Sequence, residues 1–523
     1  MTSYKKNSFL DDIEIKETSH NEVANALSKI AKKQSARTTK KSFANMSLQQ
    51  KLEYIEKSVY SILGRYRGFV KTIRSKEELE KYIDKAIRID YLCLDTETNN
   101  SLDPLTCKLM GICTYMPNTK PVYVPINHTV PGTDKLLENQ LTEKDVRECV
   151  EKLNKNNTKI VYHNGKFDLR VIYNTTGIYP NIWWDTMIGS QLLNENDQAK
   201  LKVQYPKHVD PTVDRYDIEG IFMGLPYAWI DPEIFALYAA IDAYDTHKLR
   251  RYQQKEFEKE GMNRLFNLFM NVEMPVVKVT ARMEDCGVCI DLDYLKKLNA
   301  KYEKERQKAL DKIQDILTPY SQEIVKYQAL GKLDNPYNIN SDSQLNLIIY
   351  DILKIPRVEG MKKSTEKQVL EAMDHEFAEV MLEYKHYNTL ITNFTSQFES
   401  WLSEKDGKLH AHFNQMGTED KGIRTGRFSS TQPNLQQVPS HEKTLRLAFK
   451  ASEEYENVMS EDNYFIFKDY VDAETINGYK KVKDLVVGDI LVISDNNEQK
   501  KANVISTKRN ENKIKVVFEE IKC

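Results

Sequence analysis

The sequence predicts an α/β domain, then a mostly helical region, and finally a short β-rich segment. Short apolar runs that alternate with helical stretches predict the first part, between residue 89 and about residue 262. Apolar residues spaced three and four apart predict helices from residue 263 to about residue 387. Alternating residues and turn signals predict strands from residue 471 onward.

The individual elements follow from the same patterns. Strands are predicted where the apolar runs of the first part occur, at residues 89–94, 109–115, 121–124 and 159–162. Helices are predicted where the apolar spacing is helical, at residues 264–285, 292–317, 343–353 and 366–387. The turn signals Asn477-Gly478 and Gly488-Asp489 divide the last segment, which ends in an alternating strand pattern at residues 513–523.

Composition indicates a multidomain protein of a reducing compartment. The chain has 523 residues, 40% hydrophobic and 29% charged, which is enough for two or three domains with cores of their own. It lacks an apolar run of membrane-spanning length and an apolar signal segment at its start, so we expect a cytoplasmic protein. Seven scattered cysteines argue against a disulfide framework. The Cys286 and Cys289 pair is interpreted as a strand or turn with two buried thiols.

Residues 1–48 are predicted to form a disordered polar and basic arm, with a short helix at residues 22–30. Lysine and arginine cluster at residues 32–41, whereas the net charge of the whole chain is only −2. Any basic surface for nucleic acid must therefore be local.

Acidic residues occur where metal chemistry can use them. Asp95 and Glu97 lie two apart at the end of an apolar run, so a strand places both carboxylates on one face. Asp168 lies in the first turn of a predicted helix that follows the turn at residues 163–165. Tyr238 and Asp242 are four apart in a helix that begins at Pro232, and therefore share a face.

Each of these features alone is compatible with an ordinary strand end, helix start or packed face. Together, the four acids form the set that two-metal hydrolysis of a phosphodiester requires. Hard cations such as Mg²⁺ or Mn²⁺ prefer oxygen ligands of this kind. The phenol of Tyr238 is placed to orient the attacking water.

The motifs DTET, HNGKFD and YAAID, in this order, resemble the three exonuclease motifs of the DEDD family in its tyrosine subtype. The resemblance implies an RNase H-like domain at residues 49–262. It also implies that Asp95, Glu97, Asp168 and Asp242 hold two divalent metal ions and that Tyr238 positions the nucleophile. By the same resemblance, Asn164 and Phe167 shape the pocket of the terminal nucleotide and Asp185 has a structural use. Asp245 is interpreted as a helix-face acid.

A second resemblance covers residues 263–470. The segment GIRTGRFSSTQPNLQQVPS, residues 422–440, is similar to family A DNA polymerases of the Klenow-fragment kind, and two helical segments before it resemble their thumb region. Arg424 and Arg427 can pair with phosphates or enter a minor groove. The resemblance implies that Arg427, Asn434 and Gln436 grip a primer-template duplex.

The segment NYFIFKDY, residues 463–470, resembles the first catalytic strand of the polymerase palm, in which Asp469 would bind metal. The family pattern is lost at Val471, and neither the fingers helix nor the second carboxylate strand follows. We therefore expect an incomplete thumb and palm that do not polymerise alone, since nucleotidyl transfer needs both acids.

Residues 471–523 resemble the amino-terminal part of an intein, with Thr475 in the opening block. The position of the splice nucleophile then falls on Tyr470, whose phenol is a poor candidate for acyl transfer. The resemblance implies a second polypeptide that carries the remaining intein and polymerase segments, joined to this one by trans-splicing. A variant β-rich insertion or a foreign tail is the alternative.

Two further functions stay open. One is a free-standing exonuclease of the RNase D type, which has no need of residues 422–440. The other is a DNA-binding remnant without activity, against which the complete set of carboxylates argues. The overall arrangement resembles replication polymerases of bacterial viruses, which would place the protein in a bacterial host cell.

Overall fold

The computed structural model describes residues 43–213, 219–416, 426–440 and 442–450. Farther on it describes residues 464–468, 472–475, 478–481, 484–485, 490–495, 498–510 and 513–520. The chain divides into two compact units, Met1–Asp285 with Phe413–Ser429, and Cys286–His412 with Ser430–Cys523. The first unit contains the predicted α/β domain.

The first unit is a sheet flanked by helices. Its helices are α1 (Leu48–Leu63), α2 (Lys76–Ile89), α3 (Glu143–Lys155), α4 (Gly165–Thr176), α5 (Thr186–Leu193), α6 (Leu201–His208), α7 (Pro232–Phe257), α8 (Asn263–Leu268) and α9 (Met274–Cys286). Its strands are β1 (Lys71–Thr72), β2 (Leu92–Thr98), β3 (Leu109–Tyr115), β4 (Val122–Pro125), β5 (Ile160–Tyr162) and β6 (Trp184–Asp185).

The six strands form one mixed sheet in the order β1-β4-β3-β2-β5-β6. Strand β3 is antiparallel to β2 and β4, whereas β5 is parallel to β2 and to the edge strand β6. The central strands are almost fully buried. This is the α/β sheet that the apolar runs predict.

Strand alternation assigns the two faces of the sheet. Cys93 belongs to the core that includes α1 and α7, whereas Leu92 and Leu94 belong to the core of α2, α3 and α4. On β2, an odd-numbered residue therefore faces α7, and an even-numbered one faces α4.

Two details differ from the sequence prediction. The predicted strand at residues 89–94 starts late, because α2 continues to Ile89 and ends at Asp90, whose φ of 53° is left-handed. Regular structure also begins within the predicted arm, before residue 48. Phe43 is buried against Tyr54, and Ser47 caps α1 by accepting a hydrogen bond from Gln50 N at 3.3 Å. The rest of the predicted arm, with its helix and basic cluster, lies outside the described residues.

The second unit is mostly helical before its final sheet. Its helices are α10 (Leu292–Leu317), α11 (Ser321–Ala329), α12 (Asp342–Leu347), α13 (Lys367–Glu371), α14 (Glu376–Leu390), α15 (Gln397–Ser400) and α16 (Lys443–Arg446). The predicted helix at residues 366–387 is two helices, since residues 372–375 between them are not helical. In the first unit, the predicted helix at residues 264–285 likewise contains a π-helical segment, Phe269–Glu273.

Short strands accompany these helices, namely β7 (Cys289–Ile290), β8 (His412–Asn414), β9 (Ser429–Thr431) and β10 (Phe449–Lys450). Strand β7 pairs with β10. Gly287 turns the chain with a φ of +64° between Cys286 and β7. The predicted turn and strand are therefore present, but the predicted burial is wrong, since Cys286 is exposed and Cys289 is half-buried.

The last segment is a six-stranded antiparallel sheet in the order β11-β16-β15-β14-β12-β13. Its strands are β11 (Tyr464–Lys468), β12 (Asp472–Thr475), β13 (Gly478–Lys481), β14 (Ile490–Asp495), β15 (Glu498–Asn510) and β16 (Lys513–Glu520). Thr475 pairs with Gly478, whereas Asn477 of the predicted turn lies outside the described residues. Strand β11, which belongs to the predicted palm, pairs along its length with β16.

In the part of the chain that the structure describes, no helix combines the length and the hydropathy that crossing a bilayer requires.

Candidate active site

Two acids lie side by side on one face of β2, at the fourth and sixth of its seven positions. Asp95 and Glu97 have odd numbers and therefore face α7, and they stand opposite Cys113 and Gly111 of β3. One carboxylate oxygen of Asp95, one of Glu97 and the Sγ of Cys113 all lie within 4.8 Å of one another. The strand alternation that the sequence shows thus brings both carboxylates to one place.

Thr96, which lies between these acids, connects them to a third. Its backbone N–H and its hydroxyl donate to Oδ1 of Asp168, at 2.8 Å and 2.6 Å. Asp168 is buried in the first turn of α4, which is the position that the sequence predicts. Asp168 is thereby held at the end of β2.

Helix α7 supplies the remaining predicted residues. The helix begins at Pro232 after the N-cap Asp231, whose side chain accepts from Glu233 N at 2.8 Å. One face of α7 carries Tyr238, only 9% exposed, with ring centroids 5.4 Å and 5.7 Å from those of Phe222 and Phe235. The aromatic packing fixes the ring of Tyr238 one turn before Asp242.

Electrostatics show that the four acids converge. Burial raises the pKa of Asp95 well above its ordinary value, and the negative charges of Asp168, Glu97 and Asp242 raise it further, while Lys202 opposes them. The same four carboxylates raise the pKa of the buried Cys113 thiol. Carboxylates crowded in this way repel one another unless protons or cations neutralise them.

The pKa of Asp168 is raised as well. Burial raises its pKa to about 8, although the two hydrogen bonds from Thr96 oppose that shift. A carboxyl with such a pKa gains strongly from a nearby cation.

The turn before α4 is held by Asp185. Its carboxylate accepts from the backbone N–H groups of Asn164 at 3.1 Å and Gly165 at 2.7 Å, and it also caps α5. Asn164 is exposed, has a left-handed φ of 64°, and borders a small cavity of about 90 Å³ next to Asp185. Phe167 is half-buried against the core of α2, α3 and α4. The structural use predicted for Asp185 is thus explained by four hydrogen bonds to backbone amides.

Asp245, which the sequence analysis interprets as a helix-face acid, lies on a covered part of α7. It is 2% exposed, because the sheet, α1, α5 and α6 all pack against α7 and leave this helix little free surface.

Sequence reasoning missed three residues of the site. Thr96 joins Asp168 to β2, the thiol of Cys113 lies among the acids, and the Nζ of Lys202 lies 5.6 Å from the ring centroid of Tyr238. Cys113 stands opposite Asp95 only because of the β2–β3 register, which no local pattern specifies.

The residues predicted to contact DNA or metal outside this site are only partly described. Arg427 and Gln436 are exposed. Asn434 caps a 3₁₀ turn, with its Oδ1 accepting from Gln436 N at 3.2 Å. Thr475 lies in β12, whereas Arg424, Asp469 and Tyr470 lie outside the described residues.

Comparison with protein families gives two separate matches along the chain. Residues 70–258 match the family described as 3′-5′ exonuclease, and residues 293–471 match DNA polymerase family A. The chain joins a 3′-5′ exonuclease domain to part of a family A polymerase domain. The acids described above all lie in the exonuclease domain, and the polymerase match ends where β12 is about to begin.

Curated relatives span both domains. DNA polymerase I of Borreliella burgdorferi is 28% identical over 411 residues, which cover 77% of this chain and 41% of the relative. DNA polymerase I of Chloroflexus aurantiacus is 28% identical over 397 residues, or 73% and 39% of the two chains. The chain thus spans about two fifths of the length of these relatives.

A solved structure shares the fold. The polymerase domain of Pol1 from M. smegmatis, in complex with primer-template DNA and a dNTP, aligns with a TM-score of 0.55 at 17% identity, over 77% of this chain and 61% of that one. At this identity the likeness concerns the fold alone.

Proposed function

We propose that the exonuclease domain hydrolyses the terminal nucleotide from the 3′ end of a DNA strand. The observation that carries this proposal is the convergence of four carboxylates. Beside burial, the charges of Asp168, Glu97 and Asp242 raise the pKa of Asp95, and the charges of all four acids raise that of Cys113. Such a concentration of negative charge in a buried place destabilises the fold, and sites of this kind are typical of metal-dependent catalysis.

The donor set fits a pair of hard divalent cations. Carboxylate oxygens are the ligands that Mg²⁺ and Mn²⁺ prefer. The Cys113 thiol is unsuited to such ions, because burial and the nearby acids keep it protonated. Asp95, Glu97, Asp168 and Asp242 would hold the two ions. When bound, they would neutralise charge on the phosphate and favour attack by water.

The protein's own groups would orient the substrate and the water. The ring of Tyr238 is fixed by Phe222 and Phe235, so its hydroxyl is held at a defined place one turn before Asp242. Thr96 keeps the Asp168 carboxylate in position through two hydrogen bonds. Asn164 and Phe167, which flank the start of α4, would border the terminal nucleotide.

The polymerase family match supports a larger role, as the front part of a DNA polymerase whose exonuclease proofreads during replication. Arg424, Arg427, Asn434 and Gln436 would contact the primer-template duplex, and Asp469 would hold metal in the palm. This proposal rests on the polymerase family match at residues 293–471.

An assay of 3′-labelled single-stranded DNA with Mg²⁺ tests the nuclease. We expect stepwise loss of nucleotides from the 3′ end and at least a thousandfold loss of rate in Asp95→Ala plus Glu97→Ala. The matched control is Asp134→Ala plus Glu138→Ala, which removes two exposed acids of the same domain. Equal rates for the two double variants would reject the site. Faster degradation of RNA than of DNA would favour the alternative, a nuclease of the RNase D type.

We infer a further role for residues 471–523, as the amino-terminal fragment of an intein that interrupts the polymerase. The polymerase match ends at residue 471, and the strands β12–β16 that follow form part of an antiparallel sheet. Splicing would join this chain to a second polypeptide that carries the rest of the intein and of the palm, with the junction near Tyr470 and Thr475.

Co-expression with such a polypeptide, followed by mass measurement of the products, tests this role. We expect a ligated polypeptide that lacks residues 471–523. If only the two starting masses appear, these residues are a β-rich insertion or tail without splicing activity.

A further inference from the structure

A second possible ligand site lies in the exonuclease domain, away from the four acids. A groove of about 600 Å³ is bordered by the segments before β5 and β6 and by α9. Strands β2, β5 and β6 are parallel, and the acids lie at or beyond their carboxyl ends. Lys159 and Trp183, which line the groove, immediately precede β5 and β6, so the groove lies at the opposite ends of these strands.

The groove is positively charged. Lys159, Lys278 and Arg282 line it, and none of its described lining residues is Asp or Glu. Lys159 is paired with Asp90 at 2.7 Å. Among the described residues, neither Lys278 nor Arg282 has a carboxylate within ion-pair distance, although the Arg282 guanidinium lies 5.6 Å from the ring centroid of Tyr179.

Lys278 is held in this position at an electrostatic cost. Burial lowers its pKa, and the positive charge of Arg282 lowers it further. Two neighbouring cations without counter-charges favour the binding of an anion, because an anion would relieve both desolvation and repulsion.

Thr158 provides an independent indication of a ligand. This residue is 2% exposed and lines the groove, yet its buried hydroxyl has no hydrogen-bond partner in the part of the chain that the structure describes. Buried hydroxyls are nearly always paired, and an unpaired one costs about 1–3 kcal/mol. A ligand oxygen in the groove would accept this hydrogen bond.

One wall of the groove is apolar. Trp183, Met270 and Val279 contribute to it, and Val279 is 54% exposed. The volume is far larger than an inorganic anion needs and falls within the range of small-molecule sites, about 300–1,000 Å³. An anion that also carries a flat apolar ring would use both the cations and this wall.

We propose that this groove binds a nucleotide, with the phosphate at Lys278 and Arg282, an oxygen near the Thr158 hydroxyl, and the base against the apolar wall around Trp183. The nucleotide is either free or part of a single strand. The site shares no residue with the four acids, so it stands or fails independently of the nuclease.

The test uses the full chain in EDTA, which prevents metal-dependent degradation of the probes. Equilibrium dialysis measures the binding of labelled dAMP and of inorganic phosphate, and fluorescence anisotropy measures that of a labelled oligothymidylate. In Lys278→Gln plus Arg282→Gln, we expect binding of the nucleotide probe to weaken about tenfold or more, since hydrogen bonds to charged groups contribute about 1.5–3 kcal/mol each. The control, Lys144→Gln plus Lys155→Gln, removes two exposed cations of α3 and should leave binding unchanged.

Two further measurements guard against misfolding and against binding elsewhere. Thr158→Val keeps the side-chain shape and removes only the unpartnered hydroxyl, so we expect the stability to be retained and nucleotide binding to weaken about fivefold. Photocrosslinking with 5-iodo-dUMP, or with an oligonucleotide that contains one 5-iodouracil, should label the tryptic peptide of Trp183.

The outcomes separate the sources of the nucleotide. Binding of dAMP that the groove variants weaken identifies a site for free nucleotides, whereas the same result with the oligonucleotide alone identifies a single strand. The proposal is overturned if inorganic phosphate binds as tightly as dAMP. It is equally overturned if neither nucleotide probe binds, or if the groove variants bind both probes like the control.

Discussion

A single carboxylate oxygen of Asp168 accepts two hydrogen bonds from Thr96, one from its backbone N–H at 2.8 Å and one from its hydroxyl at 2.6 Å. The two residues are 72 positions apart, and Thr96 stands between two acids that face the other side of the sheet. One threonine therefore sets the position of the α4 acid relative to the two acids of β2. Its hydroxyl is a positioning group, since it contacts a proposed metal ligand.

Thr96→Val tests that role. The substitution keeps the β-branched shape and the backbone hydrogen bond but removes the hydroxyl, so the carboxylate of Asp168 loses one of its two restraints. We expect the exonuclease kcat to fall about tenfold with little change in KM, because proper metal geometry matters most in the transition state. Thr96→Ser restores the hydroxyl and should recover most of the rate. Equal rates for the valine variant and the wild type would remove Thr96 from the site.

Asp95→Asn separates stability from activity. The pKa of Asp95 is raised, so the folded state holds a proton that the unfolded state releases above the ordinary value of 3.8, and stability declines as pH rises beyond it. Asparagine cannot ionise. We therefore expect the variant to be more stable than the wild type in EDTA at pH 7–8, with the difference vanishing near pH 4.

Mg²⁺ should reverse this order. The ion binds the folded wild type and raises its thermal midpoint by mass action, whereas the variant should gain much less. Thermal unfolding with and without Mg²⁺ at pH 7.5 measures both effects. A variant that is less stable than the wild type in EDTA would contradict the electrostatic account of the site.

A buried ion network ties α4 to α9. Glu284 is fully buried and accepts from Arg170 at 2.6 Å and from Lys166 at 2.5 Å, and Arg170, itself 2% exposed, also donates to Asp285 at 2.8 Å. Glu284→Gln leaves two cations undercompensated in the interior, so we expect the unfolding free energy to fall by about 3 kcal/mol. Urea unfolding followed by tryptophan fluorescence measures it.

The matched control is Glu151→Gln, which breaks a pair with Arg147 in which both side chains are about half exposed. Solvent screens this pair, and we expect a loss below about 1 kcal/mol. Similar losses in the two variants would show that burial does not strengthen the network.

His128 gives the exonuclease domain a pH-dependent contribution to stability. It is fully buried, with Nε2 2.7 Å from the Tyr123 hydroxyl and Nδ1 3.1 Å from the Ile230 carbonyl oxygen. Burial lowers its pKa to about 4. The unfolded state therefore binds a proton from about pH 6.5 downward, and stability is lost as pH falls from 6.5 to 4.

His128→Gln removes this titration. Between pH 6.5 and pH 4, we expect the free energy of unfolding to fall less in the variant than in the wild type, with a difference of about 3 kcal/mol. Urea unfolding at each pH measures it. Parallel pH profiles for the two proteins would mean that the pKa of His128 is the same in the folded and unfolded states.

The sequence predicts the positions of the acids but not the residues that surround them. Alternation on β2 places Asp95 and Glu97 on one face, and the spacing on α7 places Tyr238 one turn before Asp242, since both features depend on local geometry. Local patterns do not identify Thr96, Cys113 and Lys202. Their proximity to the acids depends on sheet register and on contacts between distant segments.

Errors in the fold prediction have the same origin. The helix at residues 366–387 is broken although its apolar spacing continues, and Asp245 is buried because several elements cover α7. Local periodicity identifies elements, whereas tertiary packing decides where they break and which polar groups they enclose.

Tyr238→Phe isolates the hydroxyl from the ring. The ring lies among Phe222 and Phe235, so phenylalanine preserves this packing and the stability should change little. If the hydroxyl orients the attacking water, the exonuclease kcat should fall about a hundredfold, the lower range for positioned acid–base groups, while KM and Mg²⁺-induced stabilisation stay the same. Single-turnover digestion of 3′-labelled DNA measures the chemical step directly. An unchanged single-turnover rate would assign the residue to packing, since the hydroxyl is the only group that the substitution removes.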